Sequence, residues 1–337
     1  MNNEIRQWAE IRDKFTDGLI LGNGASISVH QEFGYHDLLD EAKRLGHLTG
    51  DAERIFAAFG VEDFELVLRH LWHSKVVFDA LRLGGDAVDR VNTAYRTVRT
   101  ALIETVREIH VSYERALPHL EHIYKFLRGF KTVASLNYDL IVYWAAQYGN
   151  SALNNNYNFK DCFERDRRFS DSWENKREPY GGVVDPTLYF YPHGNLVLVR
   201  EKNERERKVV VESNTNLLDT VLGLWEAGDC VPVFVCEGTS ELKKAAVDRS
   251  VYLGRVYREV VPVLGESLTI YGWGLGEQEA HIISQIMRYP PKRIAISVRN
   301  ANKALMRRAE EIFGGGGREL VYFDSESPGA WNHAPTE

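Results

Sequence analysis

The chain has 337 residues, 44% of them hydrophobic and 26% charged, the balance of a globular protein long enough for two compact units or one α/β domain with a large insertion. Its 41 basic and 48 acidic residues leave a net charge of −7, which gives no general attraction to nucleic-acid phosphates or acidic membrane surfaces. No apolar run approaches the ~20 residues of a membrane span and Met1-Asn2-Asn3-Glu4 begins no signal peptide, so the expected location is the cytoplasm.

Residues 4–16 read as a short leading helix. In the stretch that follows, Asp17-Gly18-Leu19-Ile20-Leu21-Gly22-Asn23-Gly24-Ala25-Ser26, positions 19–21 read as a buried strand. Gly22 and Gly24 let the backbone turn tightly and approach a ligand closely. A helix after them would aim free N–H groups and its positive dipole end at a phosphate. A Gly-x-Gly turn after a strand also occurs where nothing binds. A dinucleotide-binding dehydrogenase would carry a third glycine at position 27 and a second strand ending in an acid about 20 residues on. Position 27 is isoleucine, 27–34 reads as loop and the next stretch as helix, which argues against a dehydrogenase.

Residues 51–129 read as helical throughout, broken by the turn at Gly84-Gly85. Phe64, Val67, Leu68, Leu71 and Trp72 fall at helical spacing, as do Val98, Leu102, Thr105, Val106 and Ile109. This is a helical insertion between the first two strands of a sheet. His70 and His73 stand three apart, but no third ligand is placed beside them, so they read as surface or satisfied core histidines.

The next strand, 131–136, runs into Asn137-Tyr138-Asp139 and a helix at 140–148. Polar side chains at the C-terminal end of a parallel strand lie where α/β folds place ligands. Asn137 or Asp139 can instead cap the helix. The two roles are compatible: Asp139 caps while Asn137 faces a pocket. Residues 150–185, with Asn154-Asn155-Asn156 and a charged, aromatic run, read as a long surface excursion. Order returns as a strand at 187–191, a tight turn at Pro192-His193-Gly194, a second strand at 195–199 and a possible third at 208–212. Beside a glycine in such a turn, His193 reads as exposed and free to orient.

Strands then alternate with helices: 231–235, 264–271 ending in Gly272-Trp273-Gly274-Leu275-Gly276, 292–298 ending in Arg299-Asn300, and 319–323 after the glycine turn 314–317. This alternation predicts an α/β fold, a doubly wound, mostly parallel Rossmann-like sheet whose strand ends share one edge. Gly22, Asn137, Gly272 and Asn300 arrive there. Residues 1–50 and 130–330 form the sheet domain, 51–129 the helical insertion, and 150–215 the excursion carrying the His193-Gly194 turn. Cys162, Cys230 and Cys236 include no C-x-x-C pair, so a four-cysteine zinc ribbon cannot be built and no zinc is expected. Cys230 and Cys236, in an apolar stretch, read as inert core thiols.

In this order the motifs resemble the sirtuin superfamily, more closely its bacterial SIR2-like branch than its deacylases, and within that branch the family labelled DUF4917. Gly22-Asn23-Gly24-Ala25-Ser26 is similar to the family's Gly-Ala-Gly-x-Ser phosphate turn. Ser135-Leu136-Asn137-Tyr138-Asp139 resembles its Thr-x-Asn-[Tyr/Ile]-Asp motif, His193-Gly194 its catalytic His-Gly, and the turn at 271–277 its Gly-[Tyr/Phe]-Ser-Leu-Gly-Asp. The likeness covers roughly 17–40, 131–200 and 230–325 and leaves out the helical insertion. Gly238-Thr239-Ser240 spells the sirtuin Gly-Thr-Ser but comes one strand too early. In the turn that should carry it, Gly274 replaces the serine.

The resemblance implies NAD as substrate. Without the zinc ribbon that shapes an acyl-lysine cleft, hydrolysis of the nicotinamide–ribose bond is the expected reaction. The rivals are a non-catalytic nucleotide sensor, ADP-ribosyl transfer and sirtuin-type deacylation. By the same resemblance Asn137 holds the water or a ribose hydroxyl, and His193, at an ordinary pKa of about 6.5, accepts a proton. Asp139 grips the nicotinamide carboxamide. Gly22, Gly24, Ala25 and Ser26 line the pyrophosphate, with Gly272, Trp273 and Gly274 adding backbone contacts, and Asn300 takes the adenosine ribose. SIR2-like proteins are often NAD-depleting effectors of antiphage defence, which implies a homo-oligomer and control by a partner such as an ATPase.

Overall fold

The computed structural model describes residues 4–34, 38–48, 50–153, 158–179, 183–211, 216–235 and 238–335. Eleven strands occur among them: β1 (Ile5–Arg6), β2 (Gly18–Leu21), β3 (Thr132–Ser135), β4 (Phe159–Lys160), β5 (Thr187–Phe190), β6 (Gly194–Glu201), β7 (Glu206–Lys208), β8 (Cys230–Phe234), β9 (Ser267–Tyr271), β10 (Arg293–Val298) and β11 (Glu319–Asp324). Eight build one sheet in the order β1-β11-β10-β9-β2-β3-β5-β4, and every pairing in it is parallel. All residues of β2, β3, β5 and β9 are buried. That is why 19–21 and its counterparts are continuous apolar runs: helices cover both faces of a parallel sheet.

The order runs outward from β2 to β3 and β5 on one side, and from β9 to β10 and β11 on the other. It reverses between β2 and β9, which pair Leu21 with Tyr271. An open α/β sheet leaves a crevice outside its strand ends at such a reversal.

The first helices are α1 (Trp8–Ile11), α2 (Asn23–Val29) and α3 (Leu38–Arg44). Residues 4–16 are therefore not one helix. Ile5 and Arg6 pair with β11 instead, one short helical turn follows, and residues 12–14 tighten into a 3-10 turn. The expected loop at 27–34 begins inside α2, and His36 lies outside the described residues.

The helical insertion comprises α4 (Asp51–Phe59), α5 (Phe64–Leu81), α6 (Asp86–Ile109) and α7 (Tyr113–Leu127). Asp63 and Ser112 cap α5 and α7 by accepting the N–H groups of Leu66 and Arg115. α5 packs on α6, and α7 on α8 (Ile141–Tyr148), the helix that leaves the Asn137–Asp139 loop. His70 stacks on Phe59 and His73 meets Glu204 at 2.9 Å. The remaining helices are α9 (Leu217–Ala227), α10 (Ser240–Asp248), α11 (Val251–Arg255), α12 (Ala280–Ile286) and α13 (Lys303–Phe313).

Two pairings differ from the sequence reading. The strand at 231–235 does not join the parallel sheet. As β8 it runs antiparallel to β6 in a second sheet of order β7-β6-β8. Nor do 187–191 and 195–199 form a hairpin: β5 stays in the large sheet and β6 belongs to the small one. The turn between them is a corner between sheets. Gly194 takes a φ of +82°, and a side chain there would stand 2.2 Å from the Val233 carbonyl oxygen. Alternation of apolar runs shows that strands exist; it does not say which neighbour each one takes.

Candidate functional site

At the reversal the turns after β2 and β9 interlock. Gly22 N–H donates to Tyr271 O (3.0 Å) and Gly24 N–H to Gly272 O (2.7 Å). A Cβ on Gly22 would lie 2.6 Å from Trp273 Cα, one on Gly24 2.8 Å from Gly272 O, and one on Gly272 2.3 Å from Ala25 N. The glycines serve the approach of one turn to the other, not only that of a ligand. The N–H groups expected to be free are partly used as well: Gly24 N–H meets Gly272 and Ala25 N–H meets Gly22 O at 3.0 Å. Ala25 and Ser26 are buried behind the turn, and Trp331 Nε1 donates to Ala25 O at 2.8 Å.

A cavity of about 1,400 Å3 opens above this junction. Gly22, Asn23 and Gly24 line it, with Asn137, Tyr138, Asp139, His193, and Gly272, Trp273 and Gly274. The opposite wall comes from Phe33, Leu39 and Lys43 and from α4 and the turn after it, including Glu53, Phe56 and Glu62. Three of the four strand ends expected there converge. Asn300 does not: it is exposed, at φ +52° in the turn after β10, one strand beyond β9. Ala25 and Ser26 also stay outside the lining and support it from beneath.

Ser26 Oγ donates to the Asp139 carboxylate and accepts from Asn137 Nδ2 at 2.8 Å. Asn137 Nδ2 also donates to Gly22 O at 3.0 Å. With acceptors on both sides, the amide nitrogen of Asn137 has one possible orientation. Asn137 lines the cavity, and with its amide nitrogen committed, Oδ1 is its polar atom without a hydrogen-bond partner among the described residues. Asp139 accepts from Ile141 N–H (2.9 Å) with its other oxygen, capping α8. Burial holds its carboxyl above the usual range, partly opposed by these hydrogen bonds. Each oxygen thus holds one internal hydrogen bond, so Asp139 supports the loop while it lines the cavity, and its oxygens keep lone pairs with which to accept from a ligand.

His193 reaches this loop because β6 is bonded to it. Leu196 N–H donates to Tyr138 O (2.8 Å) and Asn195 Nδ2 to Asp139 O (2.5 Å). His193 is not an exposed turn residue: 2% of it is accessible. Its Nε2 stands 3.0 Å from His281 Nε2, and His281 Nδ1 stands 3.1 Å from Ser240 Oγ. Burial, then the nearby Lys243 and His281, push the His193 pKa well below its ordinary value. His281 is pushed down to about 4 by burial, with Lys243 and Lys244 adding to it. Both shifts favour the neutral rings, and His193 does not keep the ordinary value of about 6.5 expected of an exposed turn residue.

Lys243 is buried at the cavity wall, 3.5 Å from Glu279, whose carboxylate accepts from Trp273 Nε1. Sequence reading missed Ser240, Lys243, Glu279 and His281. One signal existed: Gly238-Thr239-Ser240, set aside as belonging to the wrong strand, lines the cavity, with Thr239 capping α10. Cys162 and Cys230 are buried free thiols, and burial pushes Cys230 up to about 11, as inert core thiols require. Cys236 lies outside the described residues. Among those residues no group of three or more His, Cys, Asp or Glu side chains is placed to hold a metal, and no helix is long and apolar enough to cross a membrane.

The fold and cavity define a Rossmann-like α/β protein with a polar crevice at the switch point of its parallel sheet. The chain belongs to the family described as a domain of unknown function, DUF4917, whose profile matches residues 19–331. No curated protein matches it.

Proposed function

We propose that this protein is an NAD+ glycohydrolase that cleaves the nicotinamide–ribose bond to give nicotinamide and ADP-ribose. The observation that carries the reading is the convergence of Asn137 and His193, distant in sequence, on one cavity at the switch point. The sirtuin-like motifs give the same pair, and the cavity is roomy enough for a dinucleotide.

The chemistry suits the groups present. When the C1′–N bond breaks, its electron pair moves to the ring nitrogen and nicotinamide leaves neutral, so no strong acid is needed. Positive charge develops on the ribosyl centre, as in glycoside hydrolysis. Asn137 Oδ1 can accept a hydrogen bond from a ribose hydroxyl or the attacking water and so fix its position. The neutral His193 can take the proton released as the water oxygen bonds to C1′. Each turnover then consumes one water and releases one proton. By resemblance to SIR2-like proteins we place this activity in antiphage defence, in a homo-oligomer restrained by a partner such as an ATPase until triggered.

Incubation of the purified chain with NAD+, with and without candidate activators, tests the reading. Release of nicotinamide and free ADP-ribose in equal amounts is the expected result. ADP-ribose attached to protein would make it a transferase, and saturable NAD+ binding without turnover would make it a sensor. Neither turnover nor binding at millimolar NAD+ would end the proposal.

A further inference from the structure

We infer that His281 and Ser240 are positioning residues for His193, tying its Nε2 to a second imidazole so that Nδ1 is the nitrogen offered to the cavity, and taking up the proton that His193 receives. This rests on the reading of His193 as the proton acceptor of the site.

The geometry is specific. The two ring centroids are 5.1 Å apart and the planes 25° apart, so the rings meet edge to edge and nearly coplanar through their Nε2 atoms, 3.0 Å from one another. Two nitrogens at that distance share one proton: one ring donates and the other accepts. Their tautomers are therefore complementary, and the pair cannot hold two positive charges. His281 is clamped in turn. Its backbone N–H donates to Ser240 Oγ at 2.9 Å, its Nδ1 lies 3.1 Å from the same oxygen, and Tyr257 O–H donates to its carbonyl at 3.3 Å. His193 lines the cavity, and with Nε2 facing His281 its other ring nitrogen, Nδ1, has no hydrogen-bond partner among the described residues.

The proton path balances. In the receptive state His193 carries its proton on Nε2 and donates to His281 Nε2, while His281 Nδ1–H donates to Ser240 Oγ. Ser240 can accept twice, once from this N–H and once from the backbone. A proton arriving on His193 Nδ1 releases the one on Nε2 to His281 Nε2. His193 stays neutral and the charge rests on His281, one ring further from the cavity. Lys243 of α10, paired with Glu279, faces the pair and disfavours a charge on either ring, which returns the proton to solvent after each turnover.

Nitrogen-15 NMR of the imidazoles at pH 7, beside steady-state kinetics of nicotinamide release, decides the matter. The parent should show His193 and His281 as opposite tautomers. In His281→Phe the His193 tautomer preference should collapse and kcat fall at least ~10-fold and up to the ~10⁴-fold lost when the partner that sets a catalytic histidine's tautomer is removed, with KM unchanged. His281→Gln keeps an acceptor near His193 Nε2 and should recover most of the rate, and Ser240→Ala should lose less than His281→Phe. An unaltered His193 tautomer in His281→Phe, or a His281→Gln variant as slow as His281→Phe, overturns the inference. If His281→Phe does not fold, the tautomers of the parent and of Ser240→Ala decide it alone: like tautomers in the parent, or no change in the variant, refute it. A parent without turnover counts against NAD hydrolysis, and the tautomer measurements still judge the pair.

Discussion

Asn137 has one polar atom to spare. Its two amide protons hold Gly22 O and Ser26 Oγ, and only Oδ1 is left for the cavity. Asn137→Ala should therefore do two separable things. Leaving two buried acceptors without donors should cost about 1–3 kcal/mol of stability. Losing one preorganised contact at the transition state should cost ~10²–10³ in kcat. His193→Ala should cost ~10²–10⁴ in kcat if the imidazole takes the proton. Nicotinamide release measured beside thermal unfolding checks both. A purely structural Asn137 or His193 would lower the melting temperature and leave turnover near that of the parent.

At the scale of elements, the site is two turns locked together at the ends of β2 and β9. Gly272 stands at φ +67° and a Cβ would meet the Ala25 amide, whereas nothing lies within 4 Å of where a Cβ on Gly274 would sit. Gly272→Ala should lose about 1–3 kcal/mol and pull the turns apart, while Gly274→Ala stays within about 0.5 kcal/mol of the parent. Equal stability of the two variants in urea titration would show that the interlock does not matter. The contrast also marks how far the sequence is legible. Buried strands, the helical insertion and the Gly22, Asn137 and Gly272 edge follow from local patterns, because apolar period and turn glycines are local properties. The exchange of β6 and β8 into a second sheet is not local, since it depends on which edge each strand finds. His193 was legible as a residue, but its burial was not. Its partner His281 lies on a helix whose sequence carries no motif, and only the fold brings them together. Asn300 erred the other way: it is a strand-end asparagine with the right chemistry, one strand too far from the reversal.

Across the whole molecule, the helical insertion and the Asn137–Asp139 loop meet at a buried histidine with fixed protonation. His110 follows α6. Its Nδ1 lies 2.8 Å from Val111 O, so it carries the proton, and its Nε2 accepts the Leu140 N–H at 3.0 Å, one residue past Asp139. A second proton would set N–H against N–H in a buried site. Burial accordingly pushes its pKa down to about 4, the Val111 hydrogen bond opposing only in part. The folded value lies below the unfolded value of about 6.5, so the unfolded chain binds the proton first. The stability tied to the neutral ring is complete above about pH 6.5 and is lost as pH falls toward 4, at up to ~1.4 kcal/mol per pH unit. Buried Asp139 and Glu65, whose carboxyls burial raises, act in the opposite sense, so the parent's net slope is not the test. The test is the difference between the parent and His110→Gln, which keeps one donor and one acceptor and cannot titrate. At pH 7.5 the variant should be the less stable of the two. By pH 5 the parent should have lost about 2 kcal/mol relative to it, read from urea unfolding at both pH values. Stability curves that stay parallel from pH 7.5 to 5 would mean that His110 protonates in the folded protein as readily as in the unfolded chain, and that the loop carrying Asn137 and Asp139 does not depend on the neutral ring.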